Sequence, residues 1–307
     1  MPNPGPGGGR HTSGVAASLP ELLLPWFDAH ARDLPWRRPG TTPWGVLVSE
    51  FMLQQTPVNR VAPLWTEWLA RWPTPSALAA APQADVLRAW GRLGYPRRAL
   101  RLHAAATAIA EQHGDVVPAD VDELLALPGV GAYTARAVLA FGYQRRAPVV
   151  DTNVRRVIAR VVHGAGDAGP ARTTADLADA EALLPAGDAE AARFSAAMME
   201  LGAVLCIAGT TPRCGGCPAL HECAWHAGGR PAYTGPARPV QRYAGTDRQV
   251  RGRLLDVLRG APGPVERAAL DVVWSDAVQR DRCLLSLLDD GLVEQLDDVR
   301  FALPGQA

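Results

Sequence analysis

Two acidic residues of this 307-residue chain stand in surroundings that could make them catalytic. Glu50 lies in the apolar helical stretch 44–53, where burial would raise the pKa of its carboxyl and keep it protonated as a general acid. Asp151 ends the apolar run 148–150 just before a helical pattern, which predicts a helix N-cap. A neutral acid and a charged carboxylate can share one reaction. The alternatives are that Glu50 lies on a solvated stripe of its helix and that Asp151 only caps the next one.

Four cysteines form a second candidate site. Cys206, Cys214, Cys217 and Cys223 are separated by seven, two and five residues, whereas Cys283 lies alone in an apolar run and is predicted to be a core residue. Disulfides are rare in the reducing cytosol, so the clustering predicts metal ligands. Four thiolates suit either zinc or a 4Fe–4S cluster, and the residue types leave both open.

A glycine-rich turn, L-P-G-V-G at 127–131, lies between two helical patterns. Its glycines, Gly129 and Gly131, have no Cβ, and the backbone N–H groups that open the second helix have no partner within that helix. A phosphate could therefore approach the backbone closely. The alternative is an ordinary corner between two helices.

The patterns along the chain predict a mostly α protein. Helical spacing and abundant alanine dominate, and few β-branched runs alternate. A Pro- and Gly-rich start predicts a disordered tail and not a signal peptide, and a later Pro-rich stretch predicts a linker. The predicted organisation is a tail at 1–16, a helical domain at 17–230 with the cysteine loop at 206–223, a linker at 231–247, and a small winged-helix-like α+β domain at 248–304.

Composition restricts the partners. No apolar run approaches the roughly 18 residues that a membrane span needs, and the N-terminus lacks the apolar segment of a signal peptide, so we expect a cytoplasmic protein. The formal net charge is zero, but residues 245–307 hold 8 arginines against 11 acidic residues, which leaves the rest of the chain basic. Nucleic-acid contacts should therefore lie mainly before residue 245, and the C-terminal domain is expected to be a packing module or to bind a protein partner.

Several motifs occur together in one order. They are RDLPWR at 32–37, SEFMLQQT at 49–56, GRLGY at 91–95, LPGVGAYT at 127–134, DTNVRR at 151–156, and the cysteine cluster. In this combination the chain resembles adenine DNA glycosylases of the helix-hairpin-helix superfamily. The resemblance implies a two-lobed helix-hairpin-helix DNA glycosylase fold with an iron–sulfur cluster loop. It also implies a cytoplasmic, nucleoid-associated monomer that removes adenine from mispairs with guanine or 8-oxoguanine in double-stranded DNA.

The resemblance also assigns roles to residues. Glu50 would protonate the flipped adenine and Asp151 would stabilise the positive sugar, a division that needs one neutral and one charged carboxyl. The residues implied to support them are Arg37, Tyr133 and Asn153. The residues implied to contact DNA are Gln55, Thr56, Tyr95, Gly129 and Gly131. The family holds a 4Fe–4S cluster on four cysteines, here Cys206, Cys214, Cys217 and Cys223, although the first spacing is one residue longer than the family pattern.

Three alternatives stay open. An enzyme like endonuclease III would cleave the strand through a lysine in the hairpin, but Tyr133 stands there and all 31 basic residues are arginine, so no lyase step is expected. A thymine or uracil mismatch glycosylase of the same fold could share that tyrosine, although Glu50 favours adenine. A non-catalytic iron–sulfur DNA-binding regulator would not need both carboxylates. The C-terminal region is too short and too helical for the Nudix-like domain of many adenine glycosylases, so we expect a short form.

Overall fold

Helices form most of the fold, as the sequence patterns predict. The computed structural model describes residues 8–209, 211–236 and 243–306, with side chains from residue 18 onward in the first helix. The α-helices in these ranges are α1 (Gly8–His30), α2 (Pro43–Leu53), α3 (Val58–Arg71), α4 (Pro75–Ala79), α5 (Gln83–Trp90), α6 (Arg97–Gln112), α7 (Val121–Ala126), α8 (Ala132–Ala137), α9 (Thr152–Val161), α10 (Thr173–Leu183), α11 (Asp188–Val204), α12 (Ala224–Ala227), α13 (Asp247–Gly260), α14 (Arg267–Asp271) and α15 (Ala277–Asp289). Among these helices, none is long and apolar enough to cross a membrane.

Side-chain caps fix the starts of α9 and α15. Asp151 caps α9 by accepting from the backbone N–H groups of Asn153 and Val154. Asp276 caps α15 by accepting from the backbone N–H of Gln279 at 3.0 Å. Each cap pairs backbone donors that the first turn of a helix leaves open, so the local sequence is sufficient to place both starts.

The first helix begins earlier than the sequence patterns predict. α1 starts at Gly8, within the segment 1–16 that we predicted to be a tail, and residues 1–7 lie outside the described residues. Pro20 and Pro25 stand inside α1, where each removes one backbone donor. Leu19 and Leu23 of the same helix are fully buried. Tertiary packing therefore stabilises a helix that local propensity alone would interrupt.

The chain divides into two compact units. The first unit comprises Met1–Pro43, Ala119–Val121 and Gly131–Arg238, and the second comprises Trp44–Pro118, Asp122–Val130 and Pro239–Ala307. In the first unit, buried side chains of α1, α9, α10 and α11 form one apolar core. This core lies beneath the N-terminus of α9 and the cysteine segment, so it supports both.

Tryptophans build much of the core of the second unit. Trp68 packs edge-on against Trp72 and Trp90, with ring centroids 4.6 and 5.7 Å apart. Trp44 Nε1 donates to the Trp72 carbonyl at 3.1 Å, which satisfies a buried donor and fixes the first turn of α2. The helix that carries Glu50 is thereby anchored at its start.

The C-terminal region has the winged-helix order that its sequence predicts. Its strands are β1 (Val265–Glu266), β2 (Glu294–Gln295) and β3 (Arg300–Ala302). They form an antiparallel sheet in the order β1-β3-β2, with Val265 opposite Phe301 and Glu294 opposite Ala302. Since α13 precedes β1, and α14 and α15 precede β2, the element order is that of a small α+β winged-helix module.

This module lies in the same compact unit as residues 44–118. Arg92 pairs with Asp256 at 2.9 Å, and Arg97 pairs with Asp290 at 3.1 Å. The acidic balance of the C-terminal region thus provides partners for arginines that precede it. Part of the predicted linker, 237–242, lies outside the described residues, so the domain boundaries stay a prediction.

Candidate active site

Asp151 is held by three hydrogen bonds at the start of α9. Its Oδ1 accepts from the backbone N–H groups of Asn153 at 2.8 Å and Val154 at 2.7 Å, and its Oδ2 accepts from the Asn153 amide Nδ2 at 2.8 Å. Burial raises the pKa of Asp151 above its ordinary value, against these hydrogen bonds and the charge of Arg156, which lower it. The result is a fixed carboxylate whose negative charge would be stabilised by a neighbouring cation.

Asn153 is itself fixed by Arg156. Arg156 Nη2 donates to the Asn153 Oδ1 at 2.8 Å and to the Gly202 carbonyl at 2.7 Å, while its Nε donates to the Cys206 carbonyl at 2.7 Å. The Arg156 side chain is buried. A continuous series of hydrogen bonds therefore joins the backbone of the first clustered cysteine to the carboxylate of Asp151.

Glu50 lies in the middle of α2 and is 5% exposed. Every residue from Trp44 to Met52 is buried, which confirms the burial that the apolar sequence predicts. The carbonyls of Phe51 and Met52, at the end of the helix, accept from Arg98 Nη1 at 2.7 and 3.1 Å. The carboxyl is thus shielded from bulk water on an anchored helix, which is the setting that a general acid requires.

Arg98 joins two loops that carry predicted DNA contacts. Its Nη1 donates to the Gln54 carbonyl at 2.5 Å and its Nη2 donates to the Gly94 carbonyl at 3.0 Å. These carbonyls directly precede Gln55 and Tyr95, whose φ angles are 56° and 48°. A non-glycine residue is strained in this region and persists where its surroundings fix it. Arg98 provides that restraint at both positions.

Thr56 is buried between the same two loops. Its Oγ1 donates to the Leu93 carbonyl at 3.1 Å and accepts from Arg98 Nη2 at 2.9 Å. Burial lowers the pKa of Arg98 to about 10, so this guanidinium stays charged at neutral pH. Thr56 therefore connects the loop after α2 to the loop before α6. Its contact with DNA stays a prediction.

The glycine-rich turn has two glycines with different roles. In residues 127–130 the first carbonyl accepts from the fourth N–H at 3.1 Å, and Gly129, third in the turn, has a φ of 77°. A Cβ at Gly129 would lie 2.8 Å from Arg101 Cβ and 3.1 Å from the Phe51 ring. Gly131 is the N-cap of α8, and no described atom lies within 4 Å of a Cβ placed there. The turn thus needs Gly129 for its own packing, while Gly131 leaves room for an external group.

Arg37 and Tyr133, the remaining predicted supporting residues, lie in the first unit. Arg37 Nη1 donates to Glu200 at 2.8 Å, and Glu200 also accepts from Arg32 Nε at 2.6 Å. Burial opposes the charge of Glu200, yet the hydrogen bonds and charges of the two arginines hold the pKa of Glu200 below its ordinary value. Tyr133 is half-buried against an apolar cluster that includes Val149.

Three residues of these networks were missing from the predicted site: Glu200, Arg98 and Arg156. Glu200 follows two methionines in an apolar helix, and an acidic residue in an apolar helix is the signal that identified Glu50. Arg98 and Arg156 are each the second member of an arginine pair, and their helical spacing places them on the buried face. An arginine on the apolar face of a helix is therefore a signal for a buried hydrogen-bond network.

The four clustered cysteines lie around one part of the core of the first unit. Cys223 is buried in that core, and Cys206, Cys214 and Cys217 pack against it as free thiols. Burial, and after it the proximity of the other three thiols, raises the pKa of Cys217 to about 11. The other three thiols are thus close enough for their charges to oppose the ionisation of Cys217.

The cysteine segment fits a cluster by its donors and its support. Within the described residues, no group of three or more His, Cys, Asp or Glu side chains is already arranged as a metal site. The donor set is four thiols, which ionise when a metal centre supplies positive charge. Arg160 donates to the carbonyls of Ile207 at 2.9 Å and Gly209 at 3.0 Å. A buried arginine therefore holds the described residues at the start of the longer first spacing.

Known proteins similar to this chain decide its family. The adenine DNA glycosylase of Mycolicibacterium smegmatis is 65% identical over 288 residues, which cover 94% of this chain and 96% of the relative. The adenine DNA glycosylase of Mycobacterium tuberculosis is 60% identical over 307 residues, which cover 100% of this chain and 98% of the relative. This chain belongs to the adenine DNA glycosylase family. The human adenine DNA glycosylase is 37% identical over 209 residues, covering 66% of this chain and 38% of the relative.

The adenine DNA glycosylase family lies within a broader fold that this chain shares. Residues 48–180 match the HhH-GPD superfamily base excision DNA repair protein family, a span that includes both candidate catalytic carboxylates. A thermostable thymine-DNA glycosylase aligns with a TM-score of 0.64 at 26% identity, over 71% of this chain and 99% of that chain. A non-covalent endonuclease III–DNA complex aligns with a TM-score of 0.59 at 23% identity, over 71% and 97%. The expected helix-hairpin-helix glycosylase fold is confirmed.

Proposed function

We propose that the protein is a monofunctional adenine DNA glycosylase of base excision repair. Its substrate is adenine mispaired with guanine or 8-oxoguanine in double-stranded DNA, and it acts as a cytoplasmic, nucleoid-associated monomer. The identity of 65% with an adenine DNA glycosylase over nearly the whole chain supports this activity. The observation that carries the chemistry is the carboxylate of Asp151, fixed by three hydrogen bonds at a helix start.

The reaction needs a proton for the departing base and a negative charge for the sugar. Loss of adenine leaves an oxocarbenium-like sugar, so its transition state is partly positive. Glu50, shielded within α2, donates the proton to adenine. Asp151 stabilises the positive sugar, and because burial makes its own charge costly, it gains most when that cation forms. Asn153 keeps Asp151 Oδ2 in one orientation, and water completes the hydrolysis at the sugar.

The two strained loops, which carry Gln55 and Tyr95, extrude the base. Removing a base from the stack costs on the order of a few kcal/mol, which groups that fill the gap offset. Gln55 and Tyr95 enter the duplex, with Thr56 beside them, and their strained backbone presets both side chains without reorganisation. Gly129 and Gly131 bring the hairpin backbone against a phosphate. The residues that support the adenine pocket are Arg37 and Tyr133.

The two carboxylates are tested by isosteric variants. Glu50→Gln and Asp151→Asn should bind a mispaired duplex within about twofold of the parent, yet lose at least about 100-fold in single-turnover excision, the scale of one general-acid or charge contribution. Asp276→Asn is the matched control, since Asp276 caps a helix as Asp151 does. Near-parental excision by either variant would leave that residue as a buried or capping group only.

Substrate choice is tested by the base that is removed and the base opposite. We expect excision of adenine opposite 8-oxoguanine and guanine, and little opposite thymine, measured on matched duplexes that differ at one base. Removal of thymine or uracil from a mismatch, with adenine untouched, would favour the mismatch-glycosylase alternative. Specific binding to DNA without any base release would favour a regulator.

We also propose that the enzyme leaves an intact strand with an abasic site. A lyase step needs an amine that forms a Schiff base with the sugar aldehyde, and the sequence contains no lysine. Strand breaks should therefore appear only after alkali or heat. Borohydride trapping, run beside an N-terminally blocked sample, is the test. Efficient trapping of the blocked protein would contradict a monofunctional mechanism.

The cofactor follows from the cysteine segment. We propose that Cys206, Cys214, Cys217 and Cys223 hold a 4Fe–4S cluster. When bound, the cluster would supply a structural cross-link and the positive charge that four neighbouring thiolates need. Iron analysis of aerobically purified protein should give about four irons per chain. Zinc without iron would contradict this assignment.

A further inference from the structure

Arg248, in the first turn of α13, stacks on the ring of Tyr95. Its guanidinium carbon lies 4.2 Å from the ring centroid, and its Nη1 donates to the Tyr95 hydroxyl at 3.0 Å. Its Nη2 would lie 3.3 Å from a Cβ at Gly94. The guanidinium therefore covers both the ring of Tyr95 and the glycine before it, so the winged-helix module contributes directly to this loop.

Two guanidinium groups contact the same ring in different environments. Arg98 is buried, lies 5.5 Å from the Tyr95 centroid and donates to backbone carbonyls. Arg248 is exposed and keeps donors available for an external acceptor. Arg98 thus fixes the backbone of the loop that carries Tyr95, while Arg248 is positioned to orient the side chain of Tyr95.

Arg248 also differs from its neighbours in charge compensation. Arg92 and Arg97, on either side of Tyr95 in sequence, are paired with Asp256 and Asp290. Among the described residues, no carboxylate is within ion-pair distance of Arg248. In a C-terminal region with 8 arginines against 11 acidic residues, an uncompensated positive charge is thus placed against the residue predicted to enter the duplex.

We propose that Arg248 is a DNA-binding residue through which the winged-helix module takes part in mispair recognition. It orients Tyr95 for insertion and contacts a backbone phosphate beside the extruded adenine. This role rests on the proposed function, since it requires Tyr95 to meet duplex DNA. It changes the expectation that DNA contacts lie before residue 245.

The chemistry favours a phosphate as the group that Arg248 meets. A guanidinium stacked on an aromatic ring uses its face for the stack and keeps its in-plane N–H groups for hydrogen bonds. Phosphate oxygens flank every base step, and they accept most protein–DNA hydrogen bonds regardless of sequence. Loss of a phosphate contact should weaken binding equally whatever base lies opposite adenine, whereas loss of a base contact should depend on that base.

The test compares two exposed arginines of α13. Arg253 stacks on Trp274 with its guanidinium carbon 5.0 Å from the centroid, so Arg253→Ala removes the same charge and the same kind of stacking. In an Asp151→Asn background that traps bound duplex, Arg248→Ala should weaken affinity about five- to tenfold and lower the slope of log affinity against log salt by about one. Arg253→Ala should change neither by more than about twofold.

A double variant tests whether Arg248 and Tyr95 act as a unit. If they do, Arg248→Ala combined with Tyr95→Ala should lose little more affinity than Tyr95→Ala alone, because the stacked partner is already gone. Additive losses would overturn the positioning role. If Arg248→Ala melts well below the parent, Arg248→Lys is measured instead. It keeps the charge, so it should retain the salt slope while losing affinity.

Failure of this inference and failure of the proposed function give different results. If the parent excises adenine while Arg248→Ala and Arg253→Ala bind the duplex alike, Arg248 has no DNA role and the glycosylase stands. If the parent binds the duplex without releasing adenine, the proposed function fails, and the affinity comparison still decides Arg248. An affinity loss confined to one opposite base would replace the phosphate contact with base recognition and overturn the proposal as stated.

Discussion

Gly202 in α11 faces Asn153 in α9 with no room for a side chain between them. A Cβ at Gly202 would lie 2.7 Å from the Asn153 Cβ and 2.9 Å from the Asn153 carbonyl oxygen. The Gly202 carbonyl also accepts from Arg156, which holds Asn153. The close approach of the two helices therefore determines where the amide that orients Asp151 can lie.

Substituting Gly202→Ala should impair catalysis more than folding. The methyl group displaces Asn153 and costs about 1–3 kcal/mol of unfolding free energy, typical of overpacking. Because Asp151 loses its orienting amide, we expect single-turnover adenine excision to fall at least about tenfold. Gly252→Ala is the control, since among the described atoms a Cβ there meets only the Tyr243 hydroxyl, at 3.7 Å. Parental excision by Gly202→Ala would contradict the importance of this contact.

Replacing Arg98 should destabilise the second unit. Arg98→Met leaves the backbone carbonyls that accept from Arg98 without a donor. We expect the free energy of unfolding, measured in urea, to fall by about 3 kcal/mol or more. Arg71→Met is the control, because Arg71 pairs with Asp85 at the surface and should cost under about 1 kcal/mol. A loss at Arg98 no larger than at Arg71 would mean that water replaces the buried bonds.

Asp151 should lower stability as the pH rises. Its pKa is raised in the folded protein, so the unfolded chain gives up this proton at lower pH and the folded state becomes less stable through that window. Asp151→Asn does not titrate. The variant should therefore be more stable than the parent at pH 8, and the difference should shrink as the pH falls toward about 4, the ordinary aspartate value. Urea unfolding at several pH values is the measurement, and an advantage of the variant that grows as the pH falls would contradict it.

Cluster loss should precede loss of secondary structure. Cys217→Ser removes one proposed ligand, so we expect less bound iron and weaker duplex binding while the helical circular dichroism stays near that of the parent. Cys283→Ser is the control because Cys283 is buried in the winged-helix module, away from the cysteine segment in sequence. Full iron content in Cys217→Ser would remove Cys217 from the ligand set.

Local sequence was sufficient where the physical cause is local. The N-cap role of Asp151 depends on backbone groups two and three residues away, and the burial of Glu50 follows from its apolar neighbours. The order of the C-terminal helices and the final hairpin could also be predicted, because these elements carry their own patterns. The family resemblance placed the same motifs on one fold, and the relatives confirmed the family.

Contacts between segments that are distant in sequence could not be predicted from local patterns. Glu200 meets Arg32 across 168 residues, and Arg98 meets Phe51 across 47, so no window of sequence contains either pair. The start of α1 at Gly8 was also missed, because the Pro- and Gly-rich composition of residues 1–14 is typical of a tail and not of a helix. The ion pair of Arg92 with Asp256 likewise links the C-terminal region to a much earlier segment of the sequence.

A single guanidinium, that of Arg98, closes both strained loops through the carbonyls of Gln54 and Gly94. If either loop opened alone, the buried guanidinium of Arg98 would lose one of its hydrogen-bond acceptors. The amide hydrogens of the two loops should therefore exchange with solvent as one cooperative unit. Gln55 and Tyr95, the two residues predicted to enter the duplex, therefore share one restraint, the side chain of Arg98. A change in one loop is constrained by the shape of the other, even though 40 residues of sequence separate them.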